Sequence, residues 1–397
     1  MIKLSEIIEA PISGEWGNDD ASGTGVPVIR TANFTNTGQI DFTDVVTRDI
    51  PQLDRKVHKF LKHGDIIIEK SGGSPAQPVG RVVYFDADEN KYMINNFTSI
   101  LRIKDPNKVH PKFLFYQLFY KYNKGESVRF QNKTTGILNL RLDRYIEETY
   151  IHLPPLESQG RIARELDFIS VSATLRRLQL SELNQLIVSL FYEMFGDPVL
   201  NDNGWEKKRI SEICAINPRR TELGALADDT VVSFVPMNSV SESGEIDASQ
   251  TREYHEVKTG YTYFRENDVL FAKITPCMEN GKGAVARNLY NGIGFGSTEF
   301  HVLRPIKDMT DSEWLFRLTS LPVFRALAEK NMTGSAGQKR VPVAFFDQFK
   351  VGLPPLELQQ KYANFVNQIE SQKSLVKKSI DETQRLFDSL MSQYFDD

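Results

Sequence analysis

Cysteine is nearly absent from this chain: Cys214 and Cys277 are the only two among 397 residues. So small a supply excludes a disulfide framework and a cysteine-based metal site, and points to a reducing cytoplasm. Long hydrophobic runs are missing as well. None approaches the roughly 18 apolar residues of a membrane span, and Met1-Ile2-Lys3-Leu4-Ser5-Glu6 offers no apolar signal region. The six histidines (His58, His63, His110, His152, His255 and His301) show no metal-ligand spacing. An excess of positive charge is also lacking. With 48 Lys+Arg against 52 Asp+Glu, the net charge of −4 speaks mildly against a nucleic-acid binder. The deficit lies outside the two larger segments. Residues 1–150 carry 20 Lys+Arg against 19 Asp+Glu and residues 201–350 carry 19 against 20, so each can hold a local basic face.

Catalytic motifs are the next absence. No Gly-x-x-x-x-Gly-Lys-Ser/Thr phosphate loop occurs; before Gly281-Lys282-Gly283 the first glycine is replaced by Pro276. Gly292-Ile293-Gly294-Phe295-Gly296 lacks the third-glycine spacing of a dinucleotide turn and reads as a bend at a strand entry. Asn217-Pro218-Arg219-Arg220 starts like an adenine-methyltransferase tetrapeptide but lacks the aromatic that would hold a flipped base. Asp65, Glu69 and Lys70 are the residue types of a nuclease set, yet Glu69 and Lys70 are strand neighbours and point to opposite faces. The chain is therefore expected to hold no active site, no metal and no cofactor of its own.

What the chain has is repetition. Leu153-Pro154-Pro155-Leu156-Glu157-Ser158-Gln159 returns as Leu353-Pro354-Pro355-Leu356-Glu357-Leu358-Gln359, and from there to Asp197 and Asp397 15 of 45 aligned positions are identical. A period this long means two copies of one domain-plus-helix unit. The hydrophobic share of 40% supplies ordinary globular cores. In the first copy Gly64–Lys70, a Gly/Pro loop Ser71–Pro75 and Gly80–Phe85 predict strand, loop and strand, and Pro111–Tyr120 predicts a helix with proline in its first turn. The second copy repeats the plan. Asn267–Lys273 matches 64–70, Gly283–Ala286 matches 80–83, and a helix opens at Asp311-Ser312 with one of the two as cap.

Each Leu-Pro-Pro-Leu leads into a heptad seam. The first runs through Ile162, Leu166, Ile169, Ala173, Arg176, Leu180, Leu183, Ile187, Leu190 and Met194. The second runs through Tyr362, Val366, Ile369, Lys373, Val376, Ile380, Thr383, Phe387, Leu390 and Tyr394. At 1.5 Å per residue each helix is roughly 58 Å long, too long to bury its stripe within one small domain. The two are expected to bury each other. The fold class is thus α+β: two strand-rich α/β domains joined by two long helices in an intramolecular antiparallel coiled coil, with pseudo-two-fold symmetry.

Polar clusters in both domains mix cations, amides, hydroxyls and glycine. In the first domain they hold Arg30 and Asn33; Lys70, Ser71, Gln77 and Arg81; and Lys133, Thr134, Thr135, Asn139 and Arg141. In the second they hold Asn238; Lys273, Thr275, Asn280 and Lys282; and Thr333, Ser335, Gln338, Lys339 and Arg340. Arg and Lys can read guanine edges, Asn and Gln adenine edges, while hydroxyls and backbone N–H groups hold phosphates. Such loops are commonly plain solvated surface; their recurrence at matching places in both copies favours a binding role.

A strand-rich domain, Leu-Pro-Pro-Leu-Glu-x-Gln, a heptad helix ending Phe195-Gly196-Asp197-Pro198, and Asn203-Gly204-Trp205-Glu206 opening a second copy resemble the DNA-specificity subunit of type I restriction–modification enzymes. The likeness spans essentially the whole chain. It implies target recognition domains at 1–152 and 200–352 and spacer helices at 153–199 and 353–397. Each domain would read one half of a bipartite double-stranded DNA target, with the helices setting the spacer. Two DNA methyltransferase subunits and the restriction subunits would be partners. Leu153, Pro154, Pro155, Leu156, Leu353, Pro354, Pro355, Leu356 and the outer helix faces would form the docking surface. S-adenosylmethionine would belong to the methyltransferases, and ATP and magnesium to the restriction subunits. A fused endonuclease–methyltransferase and a structural adaptor are the rival readings.

Overall fold

The computed structural model describes residues 1–134, 137–335 and 337–396, with only the backbone of Lys133 and Thr134. Its helices longer than eight residues are α1 (Pro111–Asn123), α2 (Leu156–Phe195), α3 (Ser312–Ser320), α4 (Pro322–Lys330) and α5 (Leu356–Phe395). By internal contact the chain forms two units, Met1–Arg176 with Ser379–Asp397, and Arg177–Lys378. Each unit therefore contains half of α2 and half of α5, packed antiparallel.

The heptad pattern selects which faces meet. Every seam position named above is buried or half-buried in both helices. In the first unit Phe395 packs 5.5 Å from Phe113, Phe387 lies 6.1 Å from Tyr116, and the Tyr394 hydroxyl donates to Glu165. In the second, the Tyr362 ring stands 5.5 and 5.4 Å from Phe191 and Phe195, and its hydroxyl donates to Ile187 O at 3.2 Å. Each such buried aromatic contributes roughly 1.5–3 kcal/mol. Lys373, the charged seam position of α5, is 4% exposed and donates to Glu370 Oε1 at 2.7 Å.

Each unit has the same four-stranded antiparallel sheet. In the first the order is Ile12–Ser13, Thr98–Leu101, Ile66–Glu69, Val82–Tyr84; in the second it is Cys214–Ile216, Phe300–Pro305, Val269–Ala272, Gly283–Val285. The continuous apolar runs suit central strands covered on both faces. Each domain also has a second sheet containing one parallel pair (Val28 with Met93; Phe234 with Phe295). Pro111 opens α1, and Asp311 caps α3 by accepting the Glu313 N–H at 2.8 Å.

Three small devices recur in both copies. The first explains the Gln of Leu-Pro-Pro-Leu-Glu-x-Gln. Gln159, 1% exposed, accepts the His110 N–H at 2.9 Å and donates to Lys108 O at 3.1 Å and Pro154 O at 2.8 Å. Gln359, fully buried, accepts the Asp311 N–H at 2.8 Å and donates to Met309 O at 3.2 Å and Pro354 O at 2.8 Å. Each glutamine staples the start of a long helix to the turn leading into α1 or α3, satisfying backbone groups that burial would otherwise leave unpaired. The second is a buried ion pair. Asp65 takes a fork from Arg102 at 2.8 and 2.7 Å and the Lys62 N–H at 2.8 Å; Asp268 takes the fork of Arg304 at 2.7 Å twice and the Arg265 N–H at 2.7 Å. The third is a turn pressed onto a ring. Gly38 and Gly244 have φ of 78° and 92°, and a Cβ at either would lie 2.6 Å from the ring of Phe115 or Phe316.

Two expectations change. Ser71–Gly73, read as loop, is a strand, because Ile137–Leu140 supplies it with a partner. Gly294 and Gly296 lie inside the strand Ile293–Gly296 rather than bending its entry: a Cβ at Gly294 would meet the Phe264 ring and one at Gly296 would meet Val235 O.

Candidate nucleic-acid interface

The strand Ile66–Glu69 ends at Lys70, where two candidate clusters of the first domain come together. The Leu140 N–H donates to Lys70 O at 2.8 Å, Ser71–Gly73 pairs with Ile137–Leu140, and that strand pairs with Gln131–Thr134. Ser71, Lys133, Thr134 and Asn139 thus belong to one three-stranded sheet, with Lys70 bonded to its edge and the exposed Arg141 just beyond it. The Ser71 hydroxyl donates to Asn139 Oδ1 at 2.6 Å, and Lys70 Nζ donates to Ser13 Oγ at 2.9 Å. Burial, helped by the charge of Lys59, holds the half-buried Lys70 below the usual lysine range. Gln77 is exposed in a turn closed by reciprocal backbone bonds with Ser74 at 2.9 and 3.0 Å. Thr135 lies outside the described residues.

The second domain builds the same arrangement from different residues. The Val341 N–H donates to Lys273 O at 2.9 Å, as Leu140 does to Lys70. The Thr275 N–H donates to Lys339 O at 3.1 Å, while Thr333 and Arg340 exchange N–H···O bonds of 3.0 and 2.8 Å. The structure therefore lays 339–341 against 273–275 as it lays 137–140 against 70–73. Lys273 is again half-buried and lowered by burial. Thr333, Ser335, Gln338, Lys339, Asn280 and Asn238 are exposed. The Thr275 hydroxyl donates to Glu279 Oε1 at 2.7 Å and Lys282 Nζ to Met237 O at 3.4 Å.

Several other candidates are tied to the domain frame. Asn33 is 3% exposed, accepts the Arg30 N–H at 2.9 Å and donates to Asp41 O and Asp44 O at 3.1 and 3.0 Å. Arg30 donates to Asp44, and Arg81 forks onto Glu69 at 2.7 and 3.2 Å while reaching Thr31 O at 3.2 Å. Arg340 forks onto Glu299 at 2.9 and 2.8 Å, which holds the Glu299 carboxyl below its usual range. The Asp65, Glu69 and Lys70 set is likewise split: the acids serve Arg102 and Arg81, and the lysine faces Ser13.

Sequence reasoning passed over a basic group beside Lys70. Lys56 and Lys59 both donate to Glu15, at 2.9 and 2.7 Å, leaving positive charge in excess around one carboxylate. The run Arg55-Lys56-Val57-His58-Lys59 was its available signal. On the lead-ins, Pro155, Leu156 and Pro355 are exposed, Leu153, Pro154, Leu353 and Leu356 half-buried, and Pro354 buried. Among the described residues no group of three or more His, Cys, Asp or Glu is placed to hold a metal ion.

Known proteins match this arrangement. The family model described as "Type I restriction modification DNA specificity domain" matches twice, over residues 1–185 and 202–385. The EcoAI specificity subunit of Escherichia coli is 38% identical over 203 residues, 49% of this chain and 33% of that protein. The EcoEI specificity subunit of the same organism is 37% identical over 202 residues, with the same shares. The matched stretch thus spans about a third of the length of these curated relatives. The crystal structure of the type I restriction–modification S subunit from M. genitalium superposes with a TM-score of 0.55 at 14% identity, covering all of this chain and 96% of that one. With both copies of the domain matched, the chain belongs to the type I restriction–modification DNA specificity family.

Proposed function

We propose that this chain is the non-catalytic sequence-reading subunit of a type I restriction–modification complex, each domain reading one half of a bipartite DNA target. The observation that carries this reading is the doubled interface: a half-buried lysine at a strand end, Lys70 or Lys273, with a second segment, 137–140 or 339–341, laid against it. Two similar frames bearing different side chains suit two similar tasks with different base sequences. The paired helices act as the ruler for the unread spacer. Partner methyltransferase subunits carry S-adenosylmethionine, and restriction subunits carry ATP and magnesium. They also supply phosphate contacts that a chain of net charge −4 does not. Phe168, Val171 and Leu175, exposed at 74%, 53% and 59% and spaced three and four apart on α2, suit a protein partner on the outer helix face. Mapping methylated bases in cells that carry this chain with its methyltransferase tests the reading. A split motif with a fixed gap is expected; one continuous motif would overturn it.

A further inference from the structure

The segment Thr275–Lys282 carries three of the second domain's candidates, and one side chain fastens it from beneath. Arg325, in the middle of α4, is 6% exposed. Its Nη1 donates to Met278 O at 3.0 Å, and its Nη2 donates to Gly281 O at 3.3 Å and Lys282 O at 3.4 Å. The guanidinium also stands 4.2 Å from the Phe271 ring centroid. Among the described residues no carboxylate forms an ion pair with it, so carbonyl dipoles and a ring face balance the charge. Burial pulls the group down to about 10, which leaves it charged near neutral pH.

A buried cation without a counter-ion is costly, and the first domain manages without one. There the segment before Gly80 is held by neutral donors: the Tyr122 hydroxyl to Pro78 O at 3.0 Å, the Ser127 hydroxyl to Val79 O at 2.9 Å, and Gln131 Nε2 to Val79 O at 3.2 Å. The fold does not require a charge at this place, so the second domain's choice calls for another reason. A planar fork gathers three carbonyls around one rigid group and so dictates the path of the backbone between them.

We propose that Arg325 is a positioning residue for base reading by the second domain, an inference that rests on the DNA-reading role proposed above. By fixing Met278, Gly281 and Lys282, it sets how far Thr275, Asn280 and Lys282 reach toward the DNA.

The test uses the full chain assembled with its methyltransferase subunits and duplexes carrying the mapped methylated sequence. Single base-pair changes are placed in either half, the halves being assigned to domains by exchange of residues 200–352. In Arg325→Met, discrimination in the second domain's half should fall about tenfold, the order of one correctly read base pair. Discrimination in the other half should stay unchanged. Arg325→Lys should recover part of the loss, because an ammonium keeps the charge and the donors without the fork. Hydrogen exchange at amides 277–283 should rise in the same order. If Arg325→Met does not fold, Arg325→Lys carries the test alone, with a smaller loss confined to the same half. Equal loss in both halves with a lower Tm would make Arg325 a general stabiliser, and unchanged discrimination would deny it any role in reading; either overturns the proposal. A wild-type complex that fails to discriminate in a split target would instead overturn the DNA-reading role, and the positioning role with it.

Discussion

Gln159 and Gln359 stand 200 residues apart and make the same three hydrogen bonds, whereas the segments beside Lys70 and Lys273 are held by unrelated chemistry. Tyr122, Ser127 and Gln131 serve the first domain, and Arg325 serves the second. Next to the two lysines, Phe97 lies 45% exposed in one copy while Glu299 pairs with Arg340 in the other. Residues that carry the frame repeat with their partners. Residues at the open edge of that frame do not, which suits a duplicated reader whose halves meet different bases.

The comparison can be broken most forcefully at the buried ion pairs. Asp65→Ala strands the largely buried Arg102 and should cost about 3–5 kcal/mol in denaturant unfolding. Asp268→Ala leaves Arg304 paired with Glu222 and should cost less; equal losses would mean that Glu222 contributes nothing to the second frame. The helix staples come next. Gln159→Ala and Gln359→Ala leave two carbonyls and one N–H unpaired in each copy and should cost about 2–4 kcal/mol apiece, equally in the two copies.

Smaller effects sharpen the divergent side. Lys70→Met and Lys273→Met should each reduce the slope of log affinity against log salt by about one, in titrations of the methyltransferase complex on its own target. Only the half belonging to the altered domain should lose discrimination. Smallest for stability is Phe168→Glu, expected within about 0.5 kcal/mol of wild type because the ring is solvent-facing. It should nonetheless weaken association with the methyltransferase subunit in analytical ultracentrifugation. Its counterpart by repeat is Gln368, already polar, so Gln368→Glu should leave association unchanged.

The frame was legible in the sequence because it is built from short-range regularities. Every position named by alternating steps of four and three is buried or half-buried in α2 and α5, and apolar runs located the central strands, while the buried Phe191, Phe195 and Phe395 fall outside those steps. The matching Lys70 and Lys273 segments emerged from the repeat itself. The roles of individual charged residues were not legible, since their partners are distant along the chain. Arg340 answers Glu299 across 41 positions, Lys59 answers Glu15 across 44, and Arg30 answers Asp44 across 14. A cation meant for DNA and one meant for an internal acid look the same in sequence. The staple role of Gln159 was hidden for the same reason, although its repetition at Gln359 marked it as worth explaining.

The central claim, that two separable readers share one chain, is tested most directly by exchange. Residues 1–152 are replaced by the same span of another specificity subunit, and the methylated motif is mapped in cells by single-molecule sequencing. The account predicts that one half of the split motif changes while the other half and the gap stay as they were. A change in both halves, or no change in either, would contradict it.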